Sequence, residues 1–252
     1  MRIHVVNPNS SSGMTEQIGR TARRVASPGT VIDLTGGTTS PASIEGHTDE
    51  ALCVPPMLVR IRQAEERGAD AHVIACFDDP GLGAAREVAT RPVVGICEAS
   101  VQTALLLSRR FSVVTSLPRS VAIIEDLVEQ YGAARRCRRV RAVNMPVLAI
   151  EEDEATTSMR LTAEILAARD VDGAEAVILG CAGMSALCAR LTEETGMPVI
   201  DGVTAATRLA EALAGMGYTT SKLGAYAAPR DKFGGFGQLR EMGHCQVAEA
   251  RF

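Results

Sequence analysis

The chain of 252 residues contains no tryptophan, only four histidines, and no surplus of positive charge: 26 Lys and Arg stand against 30 Asp and Glu, a formal net charge of -4. Without a wide basic field there is no electrostatic footprint for nucleic acid, and the short arginine cluster from Arg135 to Arg141 reads as a solvated strand entry. No apolar run approaches the roughly 20 residues that cross a bilayer, and the opening MRIHVVNPN lacks the apolar core of a secretory leader. The expectation is a cytoplasmic protein with neither a nucleic-acid nor a membrane partner. CxxC pairs are also missing, although there are seven cysteines, at positions 53, 76, 97, 137, 181, 188 and 245. An odd count in a chain too long to need staples points to free thiols in a reducing compartment. The scattered histidines give a zinc site little to work with, so no metal is expected. The Gly-rich stretch Gly234 to Gly243 follows no strand and does not qualify as a dinucleotide loop.

What the chain does have is alternation. Short β-rich apolar runs take turns with longer helical patterns, the signature of an α/β fold with a mostly parallel sheet. Strands are predicted near Ile3–Val6, Val31–Leu34, Ala71–Ala75 and Pro92–Ile96, with helices near Gly13–Ala26, Glu50–Arg67 and Leu82–Ala89. The second half repeats this order, with strands near Phe111–Thr115, Val140–Val143, Ala176–Leu179 and Pro198–Ile200. Its helices fall near Arg119–Tyr131, Glu152–Ala168 and Met184–Thr195. The repeat is clearest where AHVIACFDDPGLGAAREVATRPVVGI is set against AEAVILGCAGMSALCARLTEETGMPVID. Each has an apolar strand, a cysteine at its end, a glycine-bearing turn, a helix, and a second strand opening with Pro-Val. Two related, pseudo-symmetric lobes follow, with a cleft between them. The first spans 1–97, completed by a helix over 203–217; the second spans 98–202, and 218–252 forms a tail read as a flexible or subunit-contact segment.

In open α/β sheets ligands bind beyond the carboxyl ends of the strands, so Cys76 and Cys181 each sit on the functional edge of a lobe. Two equivalent thiols on opposite walls of a cleft suit proton transfer: one thiolate takes a proton from a carbon acid and the opposite thiol returns one to the other face. The helix following each cysteine is expected to lower its pKa toward neutrality. Other strand ends carry polar candidates: Asn7 and Asn9 with Ser10 to Ser12 after the first strand, and Thr115 and Ser116 after its counterpart. Asp78 and Asp79 can orient a substrate nitrogen or cap a helix, and Asp78 is the better ligand because it is nearer Cys76. The segment Gly36–Asp49 is long and rich in small residues, a lid or cleft wall, and His47 within it reads as a surface residue. Glu98 and Asp201 are expected at matching strand ends, serving inter-lobe packing. Cys188 falls on the apolar face of a helix; Cys53, Cys137 and Cys245 lack a strand-end context; Cys97 has one without a counterpart.

These residues resemble the hydantoin racemase family, which includes allantoin racemases, within the aspartate/glutamate racemase superfamily. The resemblance is carried by VVNPNSS, PASIEGHTDEA, VIACFDDPGL, FSVVTSLPRS, VILGCAGM, PVIDGV and TSK, and covers nearly the whole chain. It implies cofactor-independent racemisation at C5 of a five-membered hydantoin ring, with Cys76 and Cys181 as the acid/base pair. It further implies a pocket lined by Asn9, Ile44, Phe77, Asp78, Thr115, Gly183 and Met184, and a homo-oligomer. Allantoin racemase is the near alternative. Amino-acid racemases, cis-trans isomerases and decarboxylases of the same superfamily stand further off, and a non-catalytic ligand-binding or thiol-sensing protein further still.

Overall fold

The computed structural model describes residues 1–230; the Gly234–Gly243 stretch, Cys245 and the end of the expected tail lie outside the described residues. In chain order the elements are β1 (Arg2–Asn7), α1 (Ser12–Val25), β2 (Val31–Gly36), α2 (His47–Glu66), β3 (Ala71–Ile74), α3 (Leu82–Val88), β4 (Val93–Gly95) and α4 (Ile96–Leu107). Then follow β5 (Phe111–Thr115), α5 (Ser120–Gln130), β6 (Cys137–Ala142), α6 (Ala149–Glu152), α7 (Glu154–Asp170), β7 (Ala176–Leu179), a 3-10 turn over Ala182–Leu187, α8 (Cys188–Thr195), β8 (Val199–Asp201) and α9 (Gly202–Gly215). The strands form two parallel four-stranded sheets of identical topology, β2-β1-β3-β4 and β6-β5-β7-β8. The expected α/β class with two lobes is therefore the observed architecture.

Alternation along the strands sorts the core into three layers. Ile3, Val5, Ala71 and Val73 of the first sheet and Phe111, Val113, Ala176 and Ile178 of the second point into one shared central core. The alternate residues Val6 and Ile74 pack outward with Met57 and Ile61 of α2 and Leu82 of α3. On the far side Val114, Val177 and Leu179 pack outward with Leu161 and Ile165 of α7 and Leu191 of α8. Between the sheets lie α1, α9, α4 and α5, and here the helices cross over. The helix that trails the first sheet, α4, packs on β7 and β8 of the second, whereas α9, trailing the second sheet, packs on β1, β3 and β4 of the first; the two also pack against each other.

The structure adds α4 to the expected helices. Its side chains Ile96, Cys97, Ala99, Ser100, Val101 and Ala104 are buried while Leu106 and Leu107 are exposed, so it shows little of the polar-apolar periodicity by which a surface helix is read. Two further helices differ in outline. The expected Glu152–Ala168 helix breaks at Asp153, whose side chain caps α7 by accepting from the Thr156 amide at 3.0 Å. The expected Met184–Thr195 helix is a 3-10 turn before it becomes α8. Beyond α9 the chain returns to the first lobe: the Thr220 amide donates to Thr90 O at 2.9 Å, and Lys222 Nζ donates to Glu87 O at 3.0 Å.

One polar cluster is buried in the outer layer of the first sheet. His4 and His72 are adjacent on β1 and β3, their Nδ1 atoms are 3.1 Å apart, and His4 Nε2 meets Thr35 Oγ1 at 2.8 Å. Burial, followed by the neighbouring His72, holds the His4 pKa well below the usual histidine range. The unfolded chain thus takes up a proton near pH ~6.5 that the folded one refuses, and stability present above that pH is lost as pH falls below it. The expected slope is up to about 1.4 kcal/mol per pH unit. Melting curves from pH 7 to 5 should be steeper for the natural protein than for His4→Asn; equal slopes would dismiss His4 as the cause.

Candidate active site

The two cysteines occupy the same local geometry in both sheets. On the first, the Ala75 amide donates to Val6 O at 2.9 Å; on the second, the Gly180 amide donates to Val114 O at 2.8 Å. Each cysteine thus stands one residue past a hydrogen bond to the central strand of its sheet. Each then closes a turn through its own carbonyl, Cys76 O accepting from Asp79 N and Cys181 O from Met184 N, both at 3.1 Å. The ladder and the turn together fix where each thiol points.

Both thiols open on one cavity of about 30 Å³, bordered by Asn9, Met14, Ile44, Ala75, Cys76, Phe77, Asp78, Thr115, Ser116, Ser120, Val147, Gly180, Cys181 and Ala182. Of the nine residues expected from the sequence, seven meet here. The other two lie elsewhere: Met184 is fully buried in the outer core of the second lobe, and Gly183 borders a separate groove of about 810 Å³ between α1 and α6. That groove is the larger opening, but neither thiol borders it. Met14, Ser120 and Val147 border the cavity without having been expected. Ser120 had a signal in the repeat, since it opens α5 in the second half as Ser12 opens α1 in the first. Val147 arrives on a loop of no regular pattern.

Several liners are already engaged. Thr115 Oγ1 donates to Gly180 O at 3.0 Å, holding β5 against the end of β7; a Cβ on Gly180 would come within 2.9 Å of the Thr115 Cβ. Asn9 Oδ1 accepts from Asn7 Nδ2 at 2.7 Å and from the Ser11 amide at 3.0 Å, and its Nδ2 contacts the Met14 sulfur at 3.1 Å. The cavity has room for water but not for a five-membered ring with a substituent, since small-molecule pockets run to about 300 Å³ and more. What closes it is the segment between β2 and α2, which carries Ile44 over the cavity. Glu45 Oε1 accepts from the Val147 amide of the opposite lobe at 3.0 Å, joining the two loops that carry Ile44 and Val147. His47, expected in this loop, forms the first residue of α2; its side chain is 84% exposed, with Nδ1 3.6 Å from Glu50.

The electrostatics run against the lowered thiol pKa expected from the sequence. Burial, and next the Asp78 carboxyl, push the Cys76 thiol well above its ordinary value; burial pushes Cys181 up to about 12. The turns after the cysteines supply too little positive potential to offset the desolvation of two buried thiols. Asp78 is itself raised to about 7 by burial and then by Glu50. Glu98 and Asp201 are not equivalent either. The register pairs Ile74 with Gly95 and Leu179 with Asp201, so Gly95 is the counterpart of Asp201 while Glu98 lies within α4, paired with Arg86. Asp201 caps α9, accepting from the Val203 amide at 3.1 Å and the Thr204 amide at 3.0 Å. Among the remaining described cysteines, Cys53 and Cys97 are buried, and the Cys188 thiol donates to Val199 O at 3.2 Å.

Comparison with known proteins agrees with this fold. Residues 3–210 match the family described as Asp/Glu/Hydantoin racemase. Over 232 residues the sequence is 60% identical to a hydantoin racemase of Rhizobium meliloti, covering 92% of this chain and 96% of that one. It is 43% identical over 233 residues to a hydantoin racemase of Paenarthrobacter aurescens, covering 92% and 99%. Among solved structures, an allantoin racemase from Klebsiella pneumoniae superposes with a TM-score of 0.91 at 45% identity, covering 95% of this chain and 98% of that one.

Proposed function

Because the chain belongs to the Asp/Glu/hydantoin racemase family, we propose that it inverts C5 of 5-substituted hydantoins, with Cys76 and Cys181 exchanging the proton between them. The observation that carries this reading is the pair of matched thiols, one from each sheet, on a single cavity. The C5 hydrogen lies next to a ring carbonyl, so removing it leaves an enolate whose charge is spread onto oxygen. One cysteine, as thiolate, takes that hydrogen and becomes a thiol. The other gives its own hydrogen to the opposite face of C5 and becomes the thiolate. Every proton is accounted for by the two side chains, so neither a cofactor nor a metal is required. The hydroxyls of Ser116 and Ser120 and the Asp78 carboxyl supply polar contacts to the ring. Phe77, Ile44 and Val147 supply the apolar wall.

Which C5 substituent the site takes follows from that wall, and the likeness to an allantoin racemase supports a second reading with the ureido group of allantoin there. The enzyme works in the cytoplasm as a homo-oligomer; that compartment suits a chain whose six described cysteines are all free. Among the described residues no helix is long and apolar enough to cross a membrane. Single enantiomers of 5-benzylhydantoin, 5-isopropylhydantoin and allantoin, incubated with the protein in D2O, test the proposal. Optical rotation should decay to zero while deuterium enters C5, and the fastest substrate identifies the substituent. Persistent rotation with all three would overturn it and turn the search to the amino-acid racemases and isomerases of the same superfamily before a non-catalytic binding protein.

A further inference from the structure

Asp79, three residues after Cys76, is held through both its backbone and its carboxyl. It is a non-glycine in the left-handed region, with φ of 43°, and only 5% exposed. Its backbone amide closes the Cys76 turn, donating to Cys76 O at 3.1 Å. Its carboxylate caps α4, accepting from the Cys97 amide at 3.1 Å and the Glu98 amide at 2.8 Å. A third donor comes from the other half of the molecule: the Tyr131 hydroxyl, at the end of α5, donates to Asp79 Oδ2 at 2.7 Å. The repeat sharpens what is unusual here. In the second lobe the corresponding helix, α9, is capped locally by Asp201 at the end of β8. In the first lobe that strand position is Gly95, and a Cβ there would overlap the Asp79 carboxyl. The cap has been moved from the strand to the cysteine turn, and the strand residue leaves room for it.

We propose that Asp79 and Tyr131 form a positioning pair that fixes the Cys76 turn against the second lobe and so sets the distance between the two thiols. The proposal rests on the two-cysteine reading above. Both sulfurs must come within reach of the same carbon from opposite sides, and a misplacement of about 1 Å can cost about 100-fold in rate. Asp79 is bonded at once to the Cys76 turn, to α4, which packs on β7 immediately before Cys181, and to α5. A displacement of this carboxylate therefore moves one thiol relative to the other. Burial favours the neutral form of Asp79, and the Tyr131 hydroxyl is the foremost influence opposing it, followed by the two amides.

The test is Tyr131→Phe, which keeps the ring in the core and removes only the hydroxyl, with Gly95→Ala as an independent displacement of the same carboxylate. Each is assayed from a single enantiomer in D2O for inversion, for deuterium in the recovered starting enantiomer, and for melting temperature. With the thiols misplaced, the enolate formed by one cysteine waits longer for the other. Inversion should fall about 10- to 100-fold at a KM within about twofold of the natural value. Deuterium in unreacted substrate should rise relative to inverted product. A loss of activity with an unchanged ratio of exchange to inversion would mark a merely structural role and overturn the proposal, as would full activity in Tyr131→Phe. Failure of the two-cysteine reading looks different: racemisation then survives in Cys76→Ser or Cys181→Ser, whatever Tyr131→Phe does.

Discussion

Cys76→Ser is expected to lower racemisation at least about 10³-fold, and Cys181→Ser equally, while each variant still exchanges the C5 hydrogen of one enantiomer. Serine fits the space of cysteine but its hydroxyl does not ionise near neutral pH, so one wall of the cavity loses its base and its acid together. The remaining thiol still reaches the enantiomer whose hydrogen faces it. In D2O it can remove that hydrogen and return deuterium to the same face. Because the two enantiomers are equal in free energy, kcat/KM must be the same in both directions for any variant, and rates of inversion cannot reveal which cysteine serves which face. Deuterium entry into recovered substrate can. The two variants should label opposite enantiomers, and labelling of the same enantiomer by both, or full activity in either, would remove the two-base mechanism.

Between pH 7 and 9, kcat/KM is expected to rise about tenfold per unit, as the thiolate fraction does when pH lies below the thiol pKa. Burial keeps both thiols protonated at neutral pH, with Cys181 pushed up to about 12, and the Asp78 carboxylate adds to the shift at Cys76. Stability moves the other way. An unfolded cysteine ionises near pH ~8.5 whereas these hold their protons, so above that pH the unfolded chain binds fewer protons and stability falls as pH rises. Cys53 and Cys137, pushed up to about 12 by burial, add to this alkaline loss. Activity and stability should therefore cross in the alkaline range. Asp78→Asn removes a negative neighbour and should shift the rising limb toward lower pH; an unmoved profile would show that Asp78 does not govern the Cys76 thiol.

The sheets and the cysteine pair were legible because their signals are local. β-branched runs such as VVTS and VILG mark strands, and the Cys-turn-helix-Pro-Val order appears twice within short reach. Local signals fail where the cause lies far along the chain. α4 shows no clear polar face because both lobes bury most of it and its exposed end carries Leu106 and Leu107. A helix start after each cysteine is visible in the sequence, whereas the burial that outweighs it comes from residues of both halves and exists only once they are packed together. Asp79 looked like a local cap or ligand, but its decisive partner, Tyr131, is 52 residues away. Glu98 and Asp201 do not share a strand end, because β4 stops at Gly95 and Glu98 already lies in the first turn of α4, a helix the sequence pattern does not announce.

The crossing of α4 and α9 also limits how a substrate can get in. Many two-lobed enzymes open about a hinge, with each lobe keeping its own core intact as it swings. Here each sheet is covered by the helix that trails the other, and the two helices pack against each other within one continuous central core. Swinging the lobes apart would strip apolar surface from both sheets at once, at about 25 cal/mol per Å² exposed. Parting the lobes is therefore the costlier route. The two loops that meet at Glu45 and Val147 are joined by a single amide-to-carboxylate hydrogen bond, so separating them gives up far less contact and leaves the shared core intact.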